Sequence, residues 1–229
     1  MGKRIAVVAA MVNEHKPFAR LLEQRGRELG GLQVTVTTIG IGPDLARKNT
    51  ATKLDHAAEP FDHVVMIGIA GGLGSSVKIG DVVVPEVVLD QQGGEHRPVP
   101  LPGTTPRGLM RTSGNIDVTR DEIADLEARG VIALDMETAA VGAVCEERGI
   151  PWSVVRAISD HDDDGYVDSK VLAMTNPDGS PNLVAAAKYL LPRPWKLRQM
   201  SKLAKGAMLA TKASANAAFD AIARLDTSP

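Results

Sequence analysis

The chain has 229 residues, of which 44% are hydrophobic but only 3% aromatic, and a net charge of −2. This length suits a single α/β domain over residues 1–229, with a core of Val, Ile, Leu and Ala, and no nucleic-acid partner is expected. The lone cysteine, Cys145, excludes an internal disulfide and fits a reducing compartment, and no apolar run reaches the ~18 residues of a membrane span.

The opening MGKRIAVVAAMV imitates a signal peptide, but Asn13-Glu14-His15-Lys16 follows at once, so a first strand explains it better and a cytoplasmic location is expected. Ile5–Ala10 reads as that strand, and Lys16–Leu29 as a helix through Phe18, Leu21, Leu22 and Leu29. Leu32–Ile39 alternates as a strand, and Pro43 opens a helix to about Ala58. His63–Ile69 is a third strand running into a glycine cluster. Val82–Val84 and Val87–Leu89 are short strands separated by a bend at Pro85, and Gln91–Arg107 is a surface loop. Asp121–Arg129 is a short helix. Val131–Leu134 is then a strand leading into Asp135-Met136-Glu137, which opens an apolar helix ending near Gly149. Trp152–Ile158 is the last strand, with Ser159-Asp160 at its tip. His161–Pro181 reads as a flap over the site, and Leu183–Leu191 and Trp195–Leu225 as closing helices broken apart by Pro192 and Pro194. Buried β-branched strands alternating with helices predict a three-layer α/β/α fold around a mixed, largely parallel, twisted sheet.

Glu137 and Asp160 would then stand at the carboxyl ends of neighbouring strands, where open α/β sheets bind ligands. Glu137 lies in an otherwise apolar stretch and needs a partner, for which a ribose diol is suitable. Glu14 follows the first strand, although a solvated acid at a helix start is a competing reading. Gly68-Ile69-Ala70-Gly71-Gly72-Leu73-Gly74 fails as a dinucleotide fingerprint, because Ala70 replaces a glycine and Ser75–Asp81 has no amphipathic helix. Arg156 reads as a structural ion pair. His161 with Asp162-Asp163-Asp164 lacks metal-ligand spacing, so no metal is expected.

These blocks, LDMETAAV with IPWSVVRAISD, Ala10–Glu14, and Gly68–Leu73 before Lys78–Pro85, resemble the nucleoside phosphorylase/nucleosidase superfamily in order and spacing. Within it they are similar to the 5′-methylthioadenosine/S-adenosylhomocysteine nucleosidases. The resemblance implies Glu14 as the water-activating base and Asp160 as the acid toward the purine. It also implies a substrate pocket of Ile69, Ala70, Gly71, Ile116, Val118, Met136, Glu137 and Ser159, with no cofactor. The expected partners are a small nucleoside substrate and a second copy of the chain. Phosphorylases of the hexameric type carry an Arg and a Ser where this chain has Met66 and Ile69, an apolar pair that supplies no side-chain grip on a dianion. Hydrolysis is therefore favoured, with Arg20 and Arg47 left as cations that could enter the site. The nucleosidases have Ser where Ile69 stands. They also stack a Phe on the purine, whereas here no aromatic occurs between Phe61 and Trp152, so Ile116 or Val118 would have to serve.

Residues 176–181 and the following NLVAAAKYLLPRPWKLRQMSKLAKGA look similar to hopanoid-associated nucleoside phosphorylases, an alternative reading; a non-catalytic nucleoside-binding protein is another. Residues 183–229 hold eight Lys/Arg against two Asp, a net of +6, leaving −8 on the rest. The basic helical segment within 191–229 is read first as a closing helix and second as a peripheral membrane contact through Arg198, Lys202, Lys205 and Lys212.

Overall fold

A computed structural model describes residues 2–114, 119–161, 182, 188, 192 and 196–225. Strand β1 (Arg4–Ala9) leads into α1 (Val12–Arg25) and a 3₁₀ turn (Gly26–Leu29), followed by β2 (Gln33–Thr38) and α2 (Pro43–Asp55). Then come β3 (His63–Gly72), β4 (Val82–Val83), β5 (Val87–Leu89), β6 (Glu95–His96) and β7 (Leu109–Thr112). The described chain continues with α3 (Arg120–Ala128), β8 (Val131–Asp135), α4 (Thr138–Glu147), β9 (Trp152–His161) and α5 (Leu197–Ala223).

The strands form one mixed sheet. Its path runs β2-β1-β3-β8-β7-β5-β6, and β9 branches from β3 to carry β4. The β1–β2, β1–β3, β3–β9, β5–β7 and β7–β8 pairs are parallel, while β3–β8, β4–β9 and β5–β6 are antiparallel. Strand alternation sends Ile5, Val7, Ala9, Val65 and Ile67 to a core shared with Phe18 of α1 and Phe219 and Ile222 of α5. It sends Ala6, Val8, Val64 and Met66 to the opposite core, shared with Ala46 of α2 and Val141 and Cys145 of α4. The expected three layers around a largely parallel sheet are therefore present.

Several boundaries differ from the sequence reading. Helix α1 starts at Val12 and not Lys16, because the Glu14 side chain folds back to accept from the Met11 N–H at 2.9 Å. Strand β3 continues through the glycine cluster as far as Gly72, since Gly71 and Gly72 pair with both β8 and β9. Strands β6 and β7 lie in and after the stretch read as a loop, and β7 was not foreseen. No helix lies between β3 and β4, as expected for Ser75–Asp81.

Strands β8 and β9 are not neighbours: both flank β3, so Glu137 and Asp160 approach from either side of it. The C-terminal half of α5 closes the fold, with Ala210, Ser214, Ala215, Ala218 and Phe219 buried. The flap and the Leu183–Leu191 helix fall almost wholly outside the described residues, as do Asp162–Asp164. No helix among the described residues is long and apolar enough to cross a membrane.

Candidate functional site

Glu14 stands in the first turn of α1 and is only 1% exposed. Its Oε2 accepts from Met11 N, and its Oε1 crosses to β3 to accept from Ile69 N at 2.8 Å. The solvated-helix-start reading of this acid is thereby overturned. Burial pushes its carboxyl above the usual range, against the pull of Arg156 and the two N–H donors.

Arg156 lies in the apolar middle of β9 and is likewise 1% exposed. Its Nη1 donates to the Ile69 carbonyl at 3.0 Å and reaches Glu14 Oε1 at 3.5 Å. Its Nη2 donates to Glu137 Oε2 at 3.2 Å and to Asp135 Oδ2, and its Nε donates to Thr138 Oγ1 at 3.2 Å. A guanidinium suits this place because its fixed fork of donors can serve several acceptors at once.

Asp135, at the end of β8, is held in turn. Its Oδ1 accepts from Thr112 Oγ1 at 2.7 Å, and its Oδ2 accepts from Thr138 N at 2.9 Å. Glu137 occupies the N-cap position of α4, and its Oε1 accepts from Gly42 N at 2.9 Å. Burial raises the Glu137 carboxyl to about 7, with Arg156 opposing the shift. Three carboxylates around one guanidinium carry excess negative charge when all are ionised. Keeping a proton in the cluster relieves that cost.

The kink that makes this possible is at Gly68, whose φ is +138°. A Cβ there would lie 2.3 Å from Glu14 Oε1 and 2.6 Å from Arg156 Nη1, so only glycine fits. The following Ile69 peptide uses its N–H on Glu14 and its carbonyl on Arg156. Neither contact depends on the Ile69 side chain, which is half-buried.

Further along β9, Asp160 pairs with Gly71 and is partly exposed at the strand end. Its Oδ1 accepts from Ser159 Oγ, while Oδ2 faces Gly71, 3.7 Å from where a Cβ would stand. Ser159 and Ala70 are buried and Met136 half-buried.

The structure thus gathers Glu14, Glu137 and the Ile69 peptide around Arg156, and sets Ala70, Gly71, Ser159 and Asp160 at the paired ends of β3 and β9. Ile116 and Val118 lie outside the described residues. Arg156 is an ion pair as expected, but its partners are the candidate acids themselves. Asp135, Thr112, Thr138 and the Gly42 N–H were not anticipated. The available signal was a lone arginine in a buried strand, which must find carboxylates somewhere. Of the other cations considered, Arg20 is exposed, and Arg47 pairs with Glu147 at 2.5 Å beside a cleft of ≈ 320 Å³ between α2 and α4.

Comparison with known proteins places these features in context. The Phosphorylase superfamily model matches residues 1–112 and 104–176. A 5′-methylthioadenosine/S-adenosylhomocysteine nucleosidase from Chromohalobacter salexigens is 28% identical, over 69% of this chain and 84% of the relative. The crystal structure of the corresponding Neisseria meningitidis nucleosidase, in complex with methylthio-immucillin-A, superposes with a TM-score of 0.69. It is 19% identical, with 99% of this chain and 100% of that one covered. A futalosine hydrolase of Helicobacter pylori gives 0.68 at 15% identity, covering 99% and 98%. At such identities the structural likeness concerns the fold.

Proposed function

The chain belongs to the phosphorylase superfamily, and from that we propose that it is a nucleosidase hydrolysing the N-glycosidic bond of an adenine-type nucleoside of the methylthioadenosine/S-adenosylhomocysteine kind. The observation that carries this reading is the cluster of Glu14 and Glu137 around Arg156, on the same strand, β9, as Asp160. Arg156 and Asp160 stand opposite Gly68 and Gly71, three residues apart on β3, because the register shifts at Ser159; the span is about 10 Å at ~3.3 Å per residue. That span is comparable to a nucleoside, with its ribose over the cluster and its base toward Asp160.

In this reading Glu14 activates the attacking water. Its Oε2 takes a hydrogen bond from Met11 N, and a carboxylate oxygen retains capacity for another. Glu137 holds the ribose hydroxyls, Met136 packs on the sugar, and Ile69, Ala70 and Gly71 border it. Asp160 donates a proton to the departing base, its Oδ1 accepting from the Ser159 O–H. Charge develops on the sugar as an oxocarbenium-like species, which the nearby carboxylates favour.

Water is preferred over phosphate because the cation the strands bring to the site is already neutralised. Arg156 is shared among Asp135, Glu14 and Glu137, and Met66 is fully buried and apolar. The test is to incubate the protein with methylthioadenosine, S-adenosylhomocysteine, adenosine, inosine and futalosine, with and without phosphate. Adenine and a free reducing sugar should appear without phosphate. Turnover that requires phosphate and yields a sugar phosphate would establish the phosphorylase alternative.

The outer face of α5 supports a finer reading, a peripheral contact with anionic membrane. Arg198, Lys202, Lys205 and Lys212 are exposed there, and Met208 and Leu209 are 56% and 53% exposed among them. Basic residues near an anionic surface contribute ~1 kcal/mol each. Sedimentation with phosphatidylglycerol vesicles at low salt should capture the protein and fail at high salt. Capture that survives Lys202→Glu with Lys205→Glu would leave α5 as a closing helix alone.

A further inference from the structure

Ser214 is 1% exposed in the middle of α5, beyond the stretch that the superfamily model matches. Its hydroxyl is used twice. Gly68 N donates to Ser214 Oγ at 3.0 Å, and Ser214 Oγ donates to the Val155 carbonyl at 2.7 Å. One oxygen therefore ties β3 to β9 at the residue before Ile69 and the residue before Arg156. The helix can reach this place because small residues line its buried side. Ala210, Ala215 and Ala218 are fully or almost fully buried. At Gly206 a Cβ would stand only 2.1 Å from the Ser159 carbonyl. The closing helix is thus seated at Ser159, beside Asp160, and hydrogen-bonded at the Gly68 kink.

That kink orients the Ile69 peptide, whose N–H meets Glu14 and whose carbonyl meets Arg156. Without an acceptor at Gly68 N, a buried N–H would be left unpaired, and the backbone would shift to relieve it. We propose that Ser214 is a positioning residue for the reaction, fixing the Gly68 kink so that the Ile69 peptide holds Glu14 and Arg156 in register. The proposal rests on Glu14 being the base. A C-terminal helix distant in sequence from every acid of the site would then set the geometry of two of its charged groups.

The test compares Ser214→Ala with Phe219→Leu, a packing change in the same helix that removes no hydrogen bond to Gly68 or Val155. Ser214→Ala should lower kcat ~10-fold or more, since small misplacements of catalytic groups have effects of that size, while KM for the nucleoside stays within about twofold. It should also move the acidic limb of the kcat/KM profile to higher pH. The Ile69 N–H holds the Glu14 carboxyl down, so a loosened bond lets it rise, and a base that must be ionised then needs a higher pH. Phe219→Leu should lower thermal stability and leave that limb in place. Ser214→Cys, with its weaker donor and acceptor, should fall between wild type and Ser214→Ala, and it carries the test if Ser214→Ala does not fold. An unmoved limb and unchanged kcat in the Ser214 variants would overturn the proposal, as would an equal shift in Phe219→Leu. Glu14→Gln separates the two levels. If it is inactive while the Ser214 variants behave as wild type, only the positioning role fails; if it is fully active, the assignment of the base itself fails.

Discussion

Asp160→Asn should release base at least ~10²-fold more slowly than wild type, the lower end of what a general acid contributes. The substitution keeps the shape of the side chain, and its amide oxygen can still accept from Ser159 Oγ, as Asp160 Oδ1 does. It removes the group that can carry a proton to the base. Because Asp160 is partly exposed at the end of β9, and not among the residues packed in either core, stability should be little changed. Single-turnover assays with methylthioadenosine would separate the chemical step from binding, and nucleoside affinity should stay near that of wild type. Base release at the wild-type rate would remove Asp160 from the mechanism.

Much of the fold was legible because its strands are apolar runs bounded by turn residues, and such runs leave few alternatives. The exceptions have physical causes. Leu109–Thr112 is only four residues long and contains Arg111, so nothing marks it as a strand until β8 and β5 pair with it on either side. Gly71-Gly72 reads as a loop because glycine disfavours strands, yet flanking β8 and β9 hold it extended. The start of α1 was missed because Asn13, Glu14 and His15 break the apolar period. What begins the helix there is one side chain returning to the Met11 N–H.

The candidate acids could be picked out in the sequence, but how they are held could not. Glu14, Glu137 and Asp160 each stand at or just past the end of a strand, and sequence order exposes that. The common partner of Glu14 and Glu137, Arg156, is set by the sheet. Parallel pairing of β3 with β9 puts Arg156 opposite Gly68, and antiparallel pairing of β8 brings Asp135 to the same guanidinium. Thr112 comes from a strand that was not foreseen, and Ser214 from a helix nearly 150 residues after Gly68 (|i−j| = 146). Contacts of that separation depend on topology, which local periodicity does not carry.

Arg156→Met should be the most destabilising single change in the site, costing roughly 3–5 kcal/mol near neutral pH. Methionine fills much of the same volume, so the loss would come from charge and not from a cavity. Glu14, Asp135 and Glu137 would remain buried without their counter-ion. The cost should depend on pH, with a definite sign. In the wild type the Glu137 carboxyl is raised to about 7 from an ordinary value of 4.5, so the folded state binds more protons than the unfolded state between those values. Its contribution to stability is therefore fully present below about 4.5 and is lost as pH rises through 7. Removing Arg156 removes the opposing charge that keeps Glu137 and Glu14 from rising further. The variant should thus lose stability more steeply over the same range and on into mildly alkaline solution. Urea unfolding of both proteins at pH 5.5 and pH 8 checks this. The difference between wild type and Arg156→Met should be smaller at pH 5.5, where the raised carboxyls of Glu14 and Glu137 bind protons more readily, and larger at pH 8. Arg156→Lys keeps the charge but loses the fork that reaches Glu14, Glu137 and Asp135 together, so it should lie between the two. A difference independent of pH would mean that packing around Arg156, and not its charge, holds β3, β8 and β9 together.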